Sequence, residues 1–345
     1  MEWAQYGIRV NSVSPGLVNT AMTYWVPQQP DWEQQLKYYG GFPRLAEVQE
    51  LGGAYVYLLS EAASYTTSID IPVNGVIGSE YRHASSEPED APVQKLFDLT
   101  GKVVAITGGA RGIGLAVATA YAEAGAKIAI LYRTTTTAPK TAEELSSRYQ
   151  TEARAYKADV TVPKEISAAI NQIAQDFGRL DIILANAGIC SEHAAEEYTP
   201  EEFQEIMNVN VNGAFYTVQA ASRIFKKQGF GNVVFTASVS ATLVNTPQRQ
   251  AAYNASKAAV LQLTKSLAVE WVDFCRVNCV SPGYTQTQIM EYASEDMLSK
   301  WLSQIPAGRF ASPYELKGAY LFCASDASSY MTGSNLVIDG GFTLP

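Results

Sequence analysis

Directly after the β-branched run at 102–107 comes Thr107-Gly108-Gly109-Ala110-Arg111-Gly112-Ile113-Gly114, which opens a helix-forming stretch reaching Gly125. A strand that turns at once into a helix through glycines leaves main-chain N–H groups and the positive end of the helix dipole uncovered, which suits a pyrophosphate. Alone, such a motif is a tight turn; with a strand before it and a helix after it, it is a dinucleotide loop. Further apolar strands are expected at 128–131, 153–158, 180–184, 232–236, 276–280 and 335–338, with helical patterning between them, as at 164–177. Strands alternating with helices predict an α/β fold: a Rossmann-like doubly wound parallel sheet flanked by helices.

The beginning of the chain repeats its end. Glu2-Trp3 and Arg9-Val10-Asn11-Ser12-Val13-Ser14-Pro15-Gly16 recur as Glu270-Trp271 and Arg276-Val277-Asn278-Cys279-Val280-Ser281-Pro282-Gly283. Leu51-Gly52-Gly53-Ala54-Tyr55 matches Leu316-Lys317-Gly318-Ala319-Tyr320, and Ser64-Tyr65 matches Ser329-Tyr330. Residues 1–77 therefore read as a partial, non-catalytic copy of a C-terminal region, 78–95 as a polar linker rich in turn formers, and 96–345 as the complete domain. Nothing in the copy corresponds to the Gly-rich loop. With one strand at 8–13, a helix at 47–59 and a last strand at 69–73, it is expected to lack a sheet of its own and to need a surface to dock on.

Of the 345 residues, 47% are hydrophobic and 17% charged, a globular profile, and the net charge of −9 argues against nucleic acid or an anionic membrane as partner. Cys190, Cys275, Cys279 and Cys323, with only His83 and His193, form no metal-binding spacing, so no metal is expected and the thiols read as reduced. No stretch offers the roughly 20 apolar residues of a membrane span and the first residues show no signal-peptide pattern, so a soluble cytoplasmic protein is expected.

In a nicotinamide-dinucleotide site the residue ending the second strand selects the cofactor, an acid there binding the 2′-hydroxyl of NAD. Tyr132 and Arg133 hold that place, without an acid. Arg133 and Arg111 could clamp a 2′-phosphate, so NADP(H) is expected over NAD(H); the alternative is two solvated arginines. Tyr253 and Lys257, four residues apart in a helical stretch, share a face. An ammonium beside a phenol favours the phenolate and makes the tyrosine a usable acid and base near neutral pH, although such pairs also arise by chance.

With Asn186-Ala187-Gly188, Asn210 and Ser281-Pro282-Gly283 added in this order, residues 96–345 resemble the short-chain dehydrogenase/reductase family over essentially its whole domain. The runs at 96–102, 186–190 and 236–240 are most similar to fungal NADP-dependent sorbose reductases and mannitol dehydrogenases. The resemblance implies that Tyr253 protonates a carbonyl oxygen as hydride arrives, that Lys257 lowers its pKa and binds the nicotinamide ribose, and that Asn210 holds a water linking Lys257 to solvent. Ser238 would hydrogen-bond the substrate oxygen; Ser240 is its competitor, less favoured because Ser238 stands three residues before the small Ala241. The implied cofactor set is Gly108, Arg111, Gly112, Ile113, Gly114, Tyr132, Arg133, Asp159, Val160, Asn186, Ala187, Gly188, Tyr253, Lys257, Pro282, Gly283, Thr285 and Thr287. For Asp159 and Asn186 a capping or turn role is the alternative.

A lid is expected at 288–310 with Met290, Tyr292, Met297 and Trp301, opposite Val239, Leu243 and Tyr284; Val239, Tyr284, Met290 and Trp301 are the expected substrate contacts. Such a pocket is mixed to apolar, without an obvious Arg or Lys for an anionic substrate, so a neutral ketone is expected: a ketose or polyol partner, or a secondary-metabolite carbonyl. The expected activity is reversible NADPH-dependent reduction. The alternative is a cofactor-binding protein of this fold without redox turnover, an assembly partner or a non-redox biosynthetic scaffold. In the resembled family the last helix and strand of one subunit pack against those of a neighbour about a two-fold axis. Residues 1–77 are expected to take that place within the chain, 47–59 beside 315–323 and 69–73 near 335–338, favouring a dimer or monomer over a tetramer. The alternative is a leftover of a truncated tandem gene or a faulty gene model.

Overall fold

The computed structural model describes residues 6–32, 44–75, 92–290 and 293–344; most of the expected linker, Glu2-Trp3 and Tyr292 lie outside them. The main sheet has seven parallel strands, β3 (Val103–Thr107), β4 (Lys127–Tyr132), β5 (Ala153–Lys157), β6 (Ile182–Ala185), β7 (Asn232–Thr236), β8 (Arg276–Pro282) and β9 (Asn335–Ile338). Their spatial order is β5-β4-β3-β6-β7-β8-β9. All seven expected strands form, with boundaries shifted by a residue or two.

Val103, Val104, Ala105, Ile106 and Thr107 are all buried, as parallel strands covered on both faces require. Successive residues feed two different cores. Val104, Ile106, Ile128 and Ile130 pack with the helices at Gly112–Glu123, Ala138–Tyr149 and Lys317–Ala324 on one face. Val103, Ala105, Ala129 and Leu131 pack with Pro163–Phe177, Ala214–Gln228 and Ala251–Glu270 on the other. The order of strands reverses between β3 and β6, and in such sheets that switch opens a crevice at the carboxyl ends of the strands.

The first part of the chain departs from expectation in two respects, the first being that its first strand starts at Ser12 and not at 8. Second, it does have a sheet: β1 (Ser12–Pro15) pairs in parallel with β2 (Asp70–Val73), joined by the helix α1 (Gln49–Leu59) as a crossover. The physical reason is that a βαβ unit closes its own ladder without a further strand. That sheet is separate from the main one, and the unit is stabilised by docking. Ala54, Tyr57, Tyr65, Ile71 and Val73 join the core that covers one face of the main sheet. Tyr57 stacks on Phe322 with ring centroids 5.2 Å apart, a geometry worth about 0.5–1.5 kcal/mol beyond the area buried. The other side of α1 has no such cover. Tyr55 is 47% exposed where the matching Tyr320 is 0% exposed, because β7 and the helix Gly112–Glu123, whose Thr236 and Tyr121 bond Tyr320, have no counterpart in the first part.

Candidate active site

The main chain between β3 and the following helix, α2 (Gly112–Glu123), makes the floor of one cleft. Gly108 sits at φ +68°, which L side chains rarely adopt. A Cβ on Gly114 would strike the Gly108 carbonyl and come within 2.8 Å of Asn186 Nδ2, so helix and strand approach more closely than any side chain permits. The N-terminus of α2 has no side-chain cap from Arg111 and no acid in its first turn. Helix ends need partners for their first N–H groups, and this one presents them with the dipole's positive end to the cleft. These features fit a dinucleotide pyrophosphate.

Every residue of the expected cofactor set lines this cleft. Arg111 donates to Gln288 Oε1 at 2.8 Å. Arg133, at the end of β4, lies 3.5 Å from Asp159 Oδ2 and is half-exposed. Burial pushes the Asp159 carboxyl up, but hydrogen bonds from Thr161 N and Oγ1 and the Arg133 charge outweigh it, and the net shift is downward. Asp159 therefore fills a turn role and faces the cleft as well. Asn186 Nδ2 donates to Thr107 O at 3.1 Å and its Oδ1 accepts from Thr236 Oγ1 at 3.1 Å, tying β3, β6 and β7 together at the switch. Thr287 lies against Gly112, within 4 Å of where a Cβ there would stand. Thr134 and Thr135, next to Arg133, also line the cleft and had no distinguishing signal in the sequence.

Tyr253 and Lys257 occupy the first turns of the long helix Ala251–Glu270 and both line the cleft. Lys257 is 4% exposed, donates to Thr236 O at 2.9 Å, and its Nζ lies 5.6 Å from the centroid of the Tyr253 ring. Burial lowers its pKa from 10.5 to about 8. Asn210 lies in a π-helical turn, Asn208–Gly213, a geometry that often marks functional positions. Its side chain accepts from Ile189 N and donates to Ile189 O, both at 2.9 Å, and donates to Ser256 Oγ at 3.0 Å. It thereby ties the turn after β6 to the helix that carries Lys257.

Ser238 and Ser240 are both buried and both line the cleft, but their hydroxyls are spent differently. Ser240 Oγ donates to Asn245 Oδ1 at 2.6 Å and accepts from Gln250 Nε2 at 3.3 Å. Ser238 Oγ accepts from Ser240 N at 3.1 Å, which leaves its proton to donate.

The expected substrate contacts Val239, Tyr284, Met290 and Trp301 line the cleft, whereas Leu243 and Met297, half-buried against the same core, do not. Trp301 stacks on Tyr284 at 4.7 Å and donates to Gln248 Oε1 at 2.7 Å. The wall is more polar than expected. Asn245, Gln248 and Gln250, from the loop before the long helix, face the cleft, and the first two donate to the Tyr284 hydroxyl at 3.3 and 2.8 Å. Tyr284 accepts both bonds and keeps its own proton. Cys190 borders this end; burial pushes its thiol up to about 11, although Lys257 opposes that, so it stands protonated. Arg111, Arg133, Asp159 and Lys257 are the charged residues of the cleft among the described residues, and each has a partner.

A family model described as enoyl-(acyl carrier protein) reductase matches residues 1–75 and 108–343. A sorbose reductase of Candida albicans is 46% identical over 256 residues, 73% of this chain and 91% of its own length. An NADP-dependent mannitol dehydrogenase of Alternaria alternata is 42% identical over 260 residues, 74% of this chain and 98% of its own. The crystal structure of the NADPH-dependent 3-quinuclidinone reductase of Rhodotorula rubra superposes with a TM-score of 0.74 at 40% identity, covering 77% of this chain and 100% of that one.

Proposed function

Because the chain belongs to the short-chain dehydrogenase/reductase family, we propose that it reduces a neutral polyhydroxylated ketone to the alcohol, with NADPH as hydride donor and reversibly. It is an NADP-dependent oxidoreductase acting on a small molecule, as its relatives are. The observation that carries the proposal is the convergence of Ser238, Tyr253 and Lys257 with the Gly-rich loop in one cleft. The bound cofactor supplies the hydride. Tyr253 gives its proton to the carbonyl oxygen, and Ser238 donates to the same oxygen as negative charge develops there. Lys257, charged below pH about 8, stabilises the phenolate left on Tyr253 and is held in place through Thr236 O. Asn210 fixes the turn beside Lys257 and would hold the water that returns a proton from solvent. Asn245, Gln248, Gln250 and Tyr284 supply donors and acceptors for substrate hydroxyls, which favours a ketose over an apolar ketone. Absorbance loss of NADPH with fructose, sorbose and diacetyl tests the assignment: faster turnover of the ketoses is expected, and a preference for diacetyl would contradict the polyol reading.

Arg133→Ala is expected to weaken NADPH binding more than about tenfold, about 1.4 kcal/mol or more, with little change for NADH. The same change releases the Asp159 carboxylate from its cation and leaves a negative charge near the expected 2′-phosphate. Isothermal titration with both cofactors checks this; equal weakening of the two would rule out Arg133 as the reader.

Lys257 sets a pH signature with two opposite signs. Its folded pKa, about 8, lies below its ordinary 10.5, so between these values the unfolded chain binds more protons and this group's contribution to stability rises with pH. Over the same window the ammonium is lost, so kcat/KM for ketone reduction by the free enzyme should fall above pH about 8. A profile flat to pH 10.5 would contradict the role of Lys257.

A further inference from the structure

The contact between the first part of the chain and the end of the complete domain has internal two-fold symmetry. From Arg44 to Gly75 the matching residues lie 265 positions apart, as Tyr55 and Tyr320 do. Tyr65 Oη donates to Arg309 O at 2.8 Å, and Tyr330 Oη donates to Arg44 O at 2.9 Å. Ser64 Oγ donates to Glu315 Oε1 at 3.1 Å, and Ser329 Oγ donates to Glu50 Oε1 at 3.3 Å. Arg309 lies over the Tyr65 ring and Arg44 over the Tyr330 ring, while each arginine holds its own glutamate through two bonds. Gly340 N donates to Tyr65 O at 3.1 Å and Gly75 N donates to Tyr330 O at 3.0 Å. A Cβ on Gly53 would strike the Ala327 carbonyl, and one on Gly318 would strike that of Ala62. Tyr57 and Phe322, themselves matching residues, stack face to face at 5.2 Å, on the symmetry axis.

An interface in which residue i of one block meets residue j of the other, and j meets i, is isologous, the arrangement by which two identical surfaces pair. Each side of every contact above has its chemical equal in the complete domain: Arg309, Glu315, Gly318, Phe322, Ala327, Ser329, Tyr330 and Gly340 are all present there. That surface is therefore self-complementary, and a second copy of the complete domain would fit it as residues 44–75 do. We propose that residues 44–75 are a built-in surrogate for a second chain: they close this face inside the monomer, and the full-length protein does not pair through it. Freed of the surrogate, two complete domains pair through the same residues about the axis at Phe322.

The relatives reported above are covered nearly end to end by about three-quarters of this chain, so a protein of the size of residues 91–345 folds on its own. Light scattering on the full chain, on a chain starting at Ala91, and on that shorter chain carrying Gly318→Leu tests the proposal. The shortened chain is expected to contain twice as many subunits as the full-length protein, and Gly318→Leu is expected to return it to the full-length count. Equal counts for the two lengths, or a doubling that Gly318→Leu leaves intact, would overturn it. Gly53→Leu in the full-length chain tests the same face without truncation, since the added side chain cannot sit against Ala327. It should expose residues 44–75 to limited proteolysis and double the subunit count; a surrogate that stays protected with an unchanged count would overturn the proposal.

Discussion

Tyr253→Phe is expected to lower kcat for ketone reduction by a factor of about 10²–10⁴, the usual contribution of a positioned general acid, while NADPH binding changes little. The substitution removes one oxygen and its proton. It leaves the ring near Lys257 Nζ, and it leaves Lys257 held by Thr236 O. A fold or docking defect would lower cofactor affinity as well, so the pairing of lost turnover with retained binding is specific to proton transfer. Single-turnover kinetics with NADPH and a titration of NADPH binding check the two halves. Turnover within a few fold of the parent would sink the assigned mechanism.

The second large effect separates two neighbouring serines. Ser238→Ala should lower kcat by about 10²–10³, as removal of one donor to a developing oxyanion does. The proton of Ser238 is uncommitted, so its loss is felt in the transition state, while loss of the oxygen that caps Ser240 N costs the fold about 0.5–2 kcal/mol. Ser240→Ala should leave kcat within a few fold of the parent. It removes the donor to Asn245 Oδ1 and one acceptor of Gln250 Nε2; Asn245 Oδ1 still accepts from Gln250 Nε2 and that nitrogen still donates to Asn254 Oδ1, so the cost in stability is about 1 kcal/mol. Denaturant melts and kcat for both variants check this; a large kcat loss in Ser240→Ala with little in Ser238→Ala would transfer the substrate-binding role to Ser240.

The main fold was legible because its signals are local. Seven apolar runs and a Gly-rich turn specify a parallel sheet and its first crossover, and the residues of the cofactor set lie at the ends of those runs, where the sheet places them. What was not legible depends on chain folding back from a distance. Asn245, Gln248 and Gln250 sit on a loop with no periodicity, and only their meeting with Tyr284 and Trp301 gives them a place in the wall. Leu243 and Met297 illustrate the converse: helical or apolar patterning says that a side chain is covered without saying by what, and here both lie half-buried against the core, outside the cleft. The sheet of the first part was missed for a similar reason. Its two strands are separated by more than 50 residues, and their pairing rests on a crossover helix whose buried face is completed by Phe322.

The central claim is that this cleft moves hydride from NADPH to a hydroxylated ketone. The direct measurement is incubation of the full-length protein with NADPH deuterated at the transferring position of the nicotinamide and a ketose such as fructose or sorbose, followed by mass analysis of the polyol. The account predicts a polyol carrying one deuterium on the former carbonyl carbon, formed by the parent protein and greatly reduced with Tyr253→Phe. NADPH that binds tightly yet yields no deuterated alcohol from any neutral ketone would contradict it.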